Sequence, residues 1–291
     1  MTKSFKVAGH VFTLSLPDGS SLWDELGQYG PFTVDSGTPV FSLSVTETLP
    51  EGERVLLLDP QSEPGEAVIR IFSLGPDLLV EMAPDSRVPT TAELWLSRDF
   101  SCARLRLLSA SARSAVFSIN NALMLTYAFR TACMNTLEMH ASVVRCRGRA
   151  FLFLARSGTG KSTHSRLWLE NVPGSELLND DNPVVRFYPE DGSVICYGSP
   201  WSGKTPCYRN ESAPVGAFVR IRRCPENRIE SLDVFNAYAL LYSSSSGFKA
   251  DRQMGDALHE TFSQIVSRTP SYVLDCRPDA QAARVCSEAV L

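Results

Sequence analysis

The segment that most constrains this chain is a glycine-bearing loop set between an apolar run and a helical pattern. Phe151-Leu152-Phe153-Leu154 is a short buried strand by its residue types, and it runs straight into Ala155-Arg156-Ser157-Gly158-Thr159-Gly160-Lys161-Ser162. Thr163 to Glu170 then carries Leu167, Trp168 and Leu169 at helix-compatible spacing, ended by Pro173-Gly174. Strand, loop and helix in this order form a phosphate cradle. Backbone N–H groups freed by glycine point at phosphate oxygens, a helix N-terminus adds positive potential, and a lysine neutralises charge. Gly158, Gly160 and Lys161 supply these parts, with Ser157, Thr159 and Thr163 alongside, and the Ser162 hydroxyl can hold Mg²⁺. The first position of G-x-x-x-x-G-K-[ST] is Ala155, which serves as long as its φ stays negative. The expected ligand is a nucleoside triphosphate, ATP with Mg²⁺.

The acidic pair Asp180-Asp181 follows Lys161 by about one helix and one strand, the distance needed to return to the phosphate end of a nearby strand. One carboxylate can hold Mg²⁺ and the other can take a proton from an attacking hydroxyl. A solvated Asp-Asp-Asn-Pro turn is the alternative. Downstream, Gly198-Ser199-Pro200-Trp201-Ser202-Gly203-Lys204 puts an aromatic and a cation, Trp201 and Lys204, in one glycine-flanked loop, suited to contacting a base, phosphate or substrate or to forming a plain surface turn. Arg156, Arg220, Arg222 and Arg223 could stabilise charge on a transferring group, and the sequence does not single one out.

Around this centre, residues 5 to about 108 read as antiparallel strands and hairpins. Phe12, Leu14 and Leu16 alternate, as do Phe41, Leu43 and Val45, and Ala103, Leu105 and Leu107, with a turn signal at Gly75-Pro76-Asp77. This part is expected to be a lid, a dimerisation surface or a substrate-docking module, and a homo-oligomer stays open. The period becomes helical between Ser111 and Thr136, with Val116, Ile119, Leu123 and Tyr127 on one stripe. Arg147-Gly148-Arg149 reads as a tight turn between two strands, and Leu240 to Phe248, with four serines and a glycine, reads as a mobile loop. The expected division is a β-rich region 1–110 and a P-loop domain 111–291.

Composition excludes some partners. A formal charge of −4 supplies no basic face for nucleic acid or anionic lipid. The start lacks the apolar core of an export signal, and Ala115 to Phe129 is too short and too polar to span a bilayer. Eight cysteines without C-x-x-C spacing suit a reduced, cytoplasmic chain with structural thiols.

Met139-His140-Ala141-Ser142, the turn at Gly148, the strand Phe151 to Leu154, Ser157 to Thr163 and Leu177 to Asp181 together resemble the nucleotide site of ATP-dependent phosphoenolpyruvate carboxykinases. They equally resemble the catalytic domain of HPr serine kinase/phosphorylase, over roughly residues 136–200. The resemblance implies an α/β (α+β) chain whose carboxykinase-like P-loop domain is built on a mixed β-sheet. It implies that Ser162 and Asp180 organise Mg²⁺, that Asp181 lies near the γ-phosphate as a base, and that His140 has an active-site role, on a second metal in the carboxykinases. An arginine-lined dicarboxylate pocket upstream and the glycine-rich signature of HPr kinase downstream are not found. The expected activity is therefore phosphotransfer from ATP to a hydroxyl of a protein, peptide or small molecule. A nucleotide-responsive binding module, a carboxykinase-type lyase and a parallel-sheet ATPase stay open as alternatives.

Overall fold

The Ala8-Gly9 pair, at φ 48° and 83°, makes the tight turn that the right-handed twist of an antiparallel hairpin favours. It joins β1 (Thr2–Val7) to β2 (His10–Ser15). β3 (Thr33–Val34), β4 (Phe41–Val45), β5 (Arg54–Leu58), β6 (Val68–Leu74), β7 (Asp77–Ala83), β8 (Ala92–Leu96) and β9 (Cys102–Leu107) complete a nine-stranded sheet in the order β3-β1-β2-β4-β9-β8-β7-β6-β5. The computed structural model describes residues 1–60, 67–203 and 205–291.

β5 to β9 form the expected antiparallel meander, but β4 pairs parallel with both β2 and β9. Alternation of Phe41 and Leu43 fixes which face turns inward and says nothing about strand direction. The crossover that the β2–β4 parallel pair needs includes a 3-10 stretch, Ser21–Phe32, whose Leu26, Tyr29 and Phe32 are buried. Helix α1 (Ala112–Thr131) buries Ile119, Ala122, Leu123 and Tyr127. Its Tyr127 hydroxyl donates to the Val7 carbonyl at 3.1 Å, and Asn120 accepts from Tyr29 at 2.9 Å and Gln28 at 3.0 Å. These bonds tie α1 to β1 and to the 3-10 stretch. The chain accordingly divides into Met1–Arg130 and Thr131–Leu291, not at 110/111.

The second unit holds another nine-stranded sheet: β10 (Thr136–Glu138), β11 (Ala141–Cys146), β12 (Arg149–Leu154), β13 (Glu176–Asp181), β14 (Val184–Tyr188), β15 (Ser193–Tyr197), β16 (Ser212–Arg223), β17 (Arg228–Ser231) and β18 (Ser271–Cys276). Helices α2 (Lys161–Asn171), α3 (Val234–Ser244), α4 (Arg252–Val266) and α5 (Ala280–Val290) accompany it. The strands run β10-β14-β15-β16-β12-β11-β13, with β18 beside β16 and β17 beside β18. Only β12–β16 and β16–β18 are parallel, so the sheet is mixed and the all-parallel alternative does not hold. Phe151, Phe153, Trp168, Val219, Leu274 and Ala283 form its core between β12, β16, β18, α2 and α5.

Arg147 and Gly148, at φ 50° and 75°, make the expected two-residue turn between β11 and β12. The segment read as a mobile loop, Leu240 to Phe248, is different. It begins as the last turn of α3, and beyond it Ser245 bridges Met139 while the Ser244 carbonyl accepts from the His140 N–H at 2.7 Å. Serine-rich composition weakens a helix by offering side-chain hydrogen bonds, yet Asp233 caps α3 by accepting from the Asn236 N–H, and tertiary pairing fixes the rest. Among the described residues, no helix is long and apolar enough to cross a membrane, and none of the eight cysteines forms a disulfide.

Candidate functional site

Strand register assembles the site. Ala141 on β11 lies opposite Leu154 on one side and Asp181 on the other, and Ser142 lies opposite Phe153 and Asp180. β12 and β13 both run antiparallel to β11, so they are parallel to each other and end in the same row, about 9.5 Å apart at one strand spacing each side of β11. His140 immediately precedes β11 and enters that row from the opposite chain direction. Three separated sequence segments thus converge on one sheet end. A buried hydrogen bond of 2.6 Å between Ser142 and Ser165 hydroxyls fixes α2 against β11.

The loop has the backbone its sequence requires. Gly158 and Gly160 hold φ 73° and 124°, and a Cβ on Gly158 would project into open space. Ala155 is not among the positive-φ residues, so alanine is accommodated there. Ser157, Thr159 and Thr163 lie on the loop and the first turn of α2 with Gly158 and Gly160, as expected. Lys161 and Ser162 open α2, with Gly160 at its N-cap.

Lys161 is only 8% exposed, and its Nζ lies 2.7 Å from His140 Nε2 and 3.2 Å from the Ala155 carbonyl. Burial lowers its pKa from the ordinary ammonium value, against the charges of Asp181 and Asp180. The same His140 Nε2 is 3.1 Å from Asp181 Oδ1. One ring nitrogen either carries a proton or offers a lone pair, so it cannot accept from Lys161 and donate to Asp181 together. His140 therefore shares one proton site between a cation and a carboxylate.

The two aspartates differ. Asp180 is 2% exposed; its Oδ1 accepts from the Ser162 hydroxyl at 2.9 Å, and its Oδ2 is buried without a hydrogen-bond partner. An orphaned buried carboxylate oxygen next to a hydroxyl is the donor set a hard divalent cation takes. No cluster of three or more His, Cys, Asp or Glu suited to a metal occurs among the described residues. Asp181 stands at φ 117°, a strained conformation for a non-glycine residue. Burial is the largest single influence on its carboxyl and raises it. His140, Lys161 and Asn182 together outweigh this and hold it below the ordinary carboxylate value.

The loop 198–203 is structural in its contacts. Trp201 is 4% exposed, so its ring is packed away and is not the open platform its sequence suggested. The Asn179 amide donates to the Ser199 hydroxyl at 3.2 Å and to the Trp201 carbonyl at 3.3 Å. Gly203 N–H and the Ser202 hydroxyl donate to the Asp180 carbonyl at 2.6 and 2.9 Å. A Cβ on Gly203 would stand 3.0 Å from the Asp181 Cβ, so this glycine admits the strained aspartate. Lys204 lies outside the described residues.

Two contributors stand out only in the folded chain. Arg223, at the end of β16, donates to the Thr159 carbonyl at 3.0 Å and to the Gly158 carbonyl, whereas Arg222 is spent on Asp275 at 2.6 and 2.7 Å. Glu138, two residues before His140, is 1% exposed with both carboxylate oxygens unpartnered. Burial pushes it up to about 7, Ser246 opposes this, and the Asp181 charge adds to it. Arg223 was one of several undistinguished arginines in the sequence, and Glu138 carried no signal beyond a charge in an apolar run.

No family model matches this chain, and no curated protein matches it. Among solved structures, the HPr(Ser) kinase/phosphatase from Coxiella burnetii is similar at a TM-score of 0.30 and 11% identity, over 52% of this chain and 95% of its own. The likeness is distant.

Proposed function

We propose that this chain is an ATP-dependent phosphotransferase that moves the γ-phosphoryl group to a hydroxyl of an acceptor. The observation that carries the reading is the convergence, through strand register, of the Gly158–Ser162 loop with Asp180, Asp181 and His140 at one sheet end. Binding alone needs the loop; a buried carboxylate on Ser162 and a second carboxylate on His140 go beyond that need.

Ser162 and Asp180 would hold Mg²⁺ with phosphate oxygens. When bound, the ion supplies positive charge to the β- and γ-phosphate oxygens. The chain's own residues do the rest. Backbone amides at the start of α2 and Lys161 bind the phosphates, and Arg223 holds the loop's carbonyls in place. As Lys161 turns to phosphate it frees His140 Nε2, which can then donate to Asp181 and fix its orientation. Asp181 accepts the hydrogen bond of the attacking hydroxyl. The acceptor oxygen forms a bond to the γ-phosphorus, the bond to the bridging oxygen breaks, ADP leaves, and the hydroxyl proton passes to Asp181. A carboxylate of low pKa suits this, because a loose transition state demands orientation more than early proton removal.

The test is ³¹P NMR of Mg-ATP incubated with the protein, where water can substitute for an unidentified acceptor. Slow conversion to ADP and phosphate that falls at least ~100-fold in Asp181→Asn is expected from loss of a general base. Equal conversion by both proteins would remove Asp181 from the mechanism.

A further inference from the structure

Asp181 stands between two planar peptide units, and its φ and ψ are the rotation of one against the other. The preceding unit is held through the Asp180 carbonyl, which accepts from the Gly203 N–H at 2.6 Å and the Ser202 hydroxyl at 2.9 Å. The following unit is held through the Asn182 N–H, which donates to Asn179 Oδ1 at 3.0 Å. The amide nitrogen of the same Asn179 donates to the Ser199 hydroxyl at 3.2 Å and the Trp201 carbonyl at 3.3 Å, in the loop that carries Ser202 and Gly203. The Ser199 hydroxyl closes the ring of bonds by donating to the Asn182 carbonyl. Because the amide nitrogen only donates and the Asn182 N–H needs an acceptor, this environment allows the Asn179 side chain one orientation. Asn179 and Ser199 are both 0% exposed, so water does not stand in for a bond that is lost.

From this arrangement we infer that Asn179 is a positioning residue: it ties the two peptide units around Asp181 to one loop and so holds that residue at φ 117°, with its carboxylate on His140. What the carboxylate then does rests on the phosphotransferase reading; the backbone lock stands on the hydrogen bonds. A non-glycine residue at positive φ keeps that conformation only while its surroundings over-determine it. Ser202 and Gly203 fix the unit before Asp181, and Ser199 reaches only the carbonyl beyond Asn182. Asn179 bonds the unit after Asp181 and the loop together, so its loss frees the rotation that the strained residue resists. Asp181 then relaxes toward negative φ and its carboxylate leaves His140 Nε2, now 3.1 Å from Oδ1. Displacing a reacting group by about 1 Å is enough to cost a large part of its rate advantage while substrate binding stays as it was.

The experiment joins a crystal structure of Asn179→Leu, close in shape and without hydrogen-bonding atoms, to the release of labelled phosphate from γ-labelled Mg-ATP. In the structure Asp181 should leave the positive-φ region, and φ kept near 117° would overturn the lock. In turnover, Asn179→Leu should lower kcat ~10-fold or more and leave KM for Mg-ATP within about twofold, the pattern of misplaced chemistry with intact binding. Added to Asp181→Asn it should cost no more than about twofold further, because the group it aims is gone. If Asn179→Leu does not fold, Ser199→Ala removes one partner of the amide and should lower kcat about threefold, again only where Asp181 is present. An undiminished kcat, or equal losses with and without Asp181, would overturn the inference while the effect of Asp181→Asn alone keeps the phosphotransferase reading. Wild-type turnover by Asp181→Asn would instead overturn that reading, and the structure of Asn179→Leu would still decide the lock.

Discussion

Both units hold a nine-stranded mixed sheet, and each buries a glutamate, but they treat that charge in opposite ways. Glu93 in the first unit is 5% exposed and sits between Arg54 at 2.9 Å and Arg106. Burial acts most strongly on it and raises its pKa, yet the two guanidinium groups reverse this and hold it below the ordinary value. In the second unit, burial outweighs the Ser246 side chain at Glu138, and Asp180 Oδ2 has no hydrogen-bond partner. Uncompensated buried carboxylates are costly, so the two units differ in how they settle a buried charge.

Breaking this contrast has a graded set of outcomes. Asp180→Asn removes the charge the cation site needs, and Mg-ATP turnover should fall ~100-fold or more with the fold intact by circular dichroism. Glu138→Gln acts on stability, and its sign follows from a folded pKa above the unfolded one. The penalty is absent below pH 4.5, grows as pH rises, and is complete above about 7, where the shift from 4.5 to about 7 corresponds to about 3 kcal/mol. The variant should therefore gain melting temperature over wild type at pH 8 and gain little at pH 4.5; a gain independent of pH would contradict the ionised, unpartnered carboxyl.

Glu93→Gln should do the reverse, costing about 1–2 kcal/mol because the arginines it leaves are only partly buried, and Mg-ATP affinity should not change. Loss of nucleotide binding in that variant would erase the distinction between the units. The smallest effect is expected from Gly203→Ala, which presses on Asp181 and should lower turnover three- to tenfold while leaving Mg-ATP affinity within twofold. Turnover unchanged there would show that the strained Asp181 backbone has room to spare.

How much of this was legible before folding depends on how local each feature is. The Arg147-Gly148 turn and the glycine-bearing loop before α2 are written in adjacent residues, and each is where its residues place it. Convergence of His140 with Asp181 was expected only through family resemblance, since register across β11 is a property of three strands at once. The parallel pairing of β4 was illegible because alternation is the same in either direction. Burial of Trp201 was not legible, because the loop folds over Asn179 and Asp180 through contacts that its composition does not show. Arg222 and Arg223 are neighbours of like chemistry, and only the β18 partner Asp275 decides which one is left for the loop.

The central claim is that the Gly158–Ser162 loop binds the phosphates of Mg-ATP, and calorimetry on wild type, Lys161→Ala and Glu93→Gln tests it most directly. Binding by wild type and Glu93→Gln, with affinity reduced ~100-fold or more in Lys161→Ala, is the predicted result. Binding unaffected by Lys161→Ala, or no Mg-ATP binding by the wild type, would contradict it.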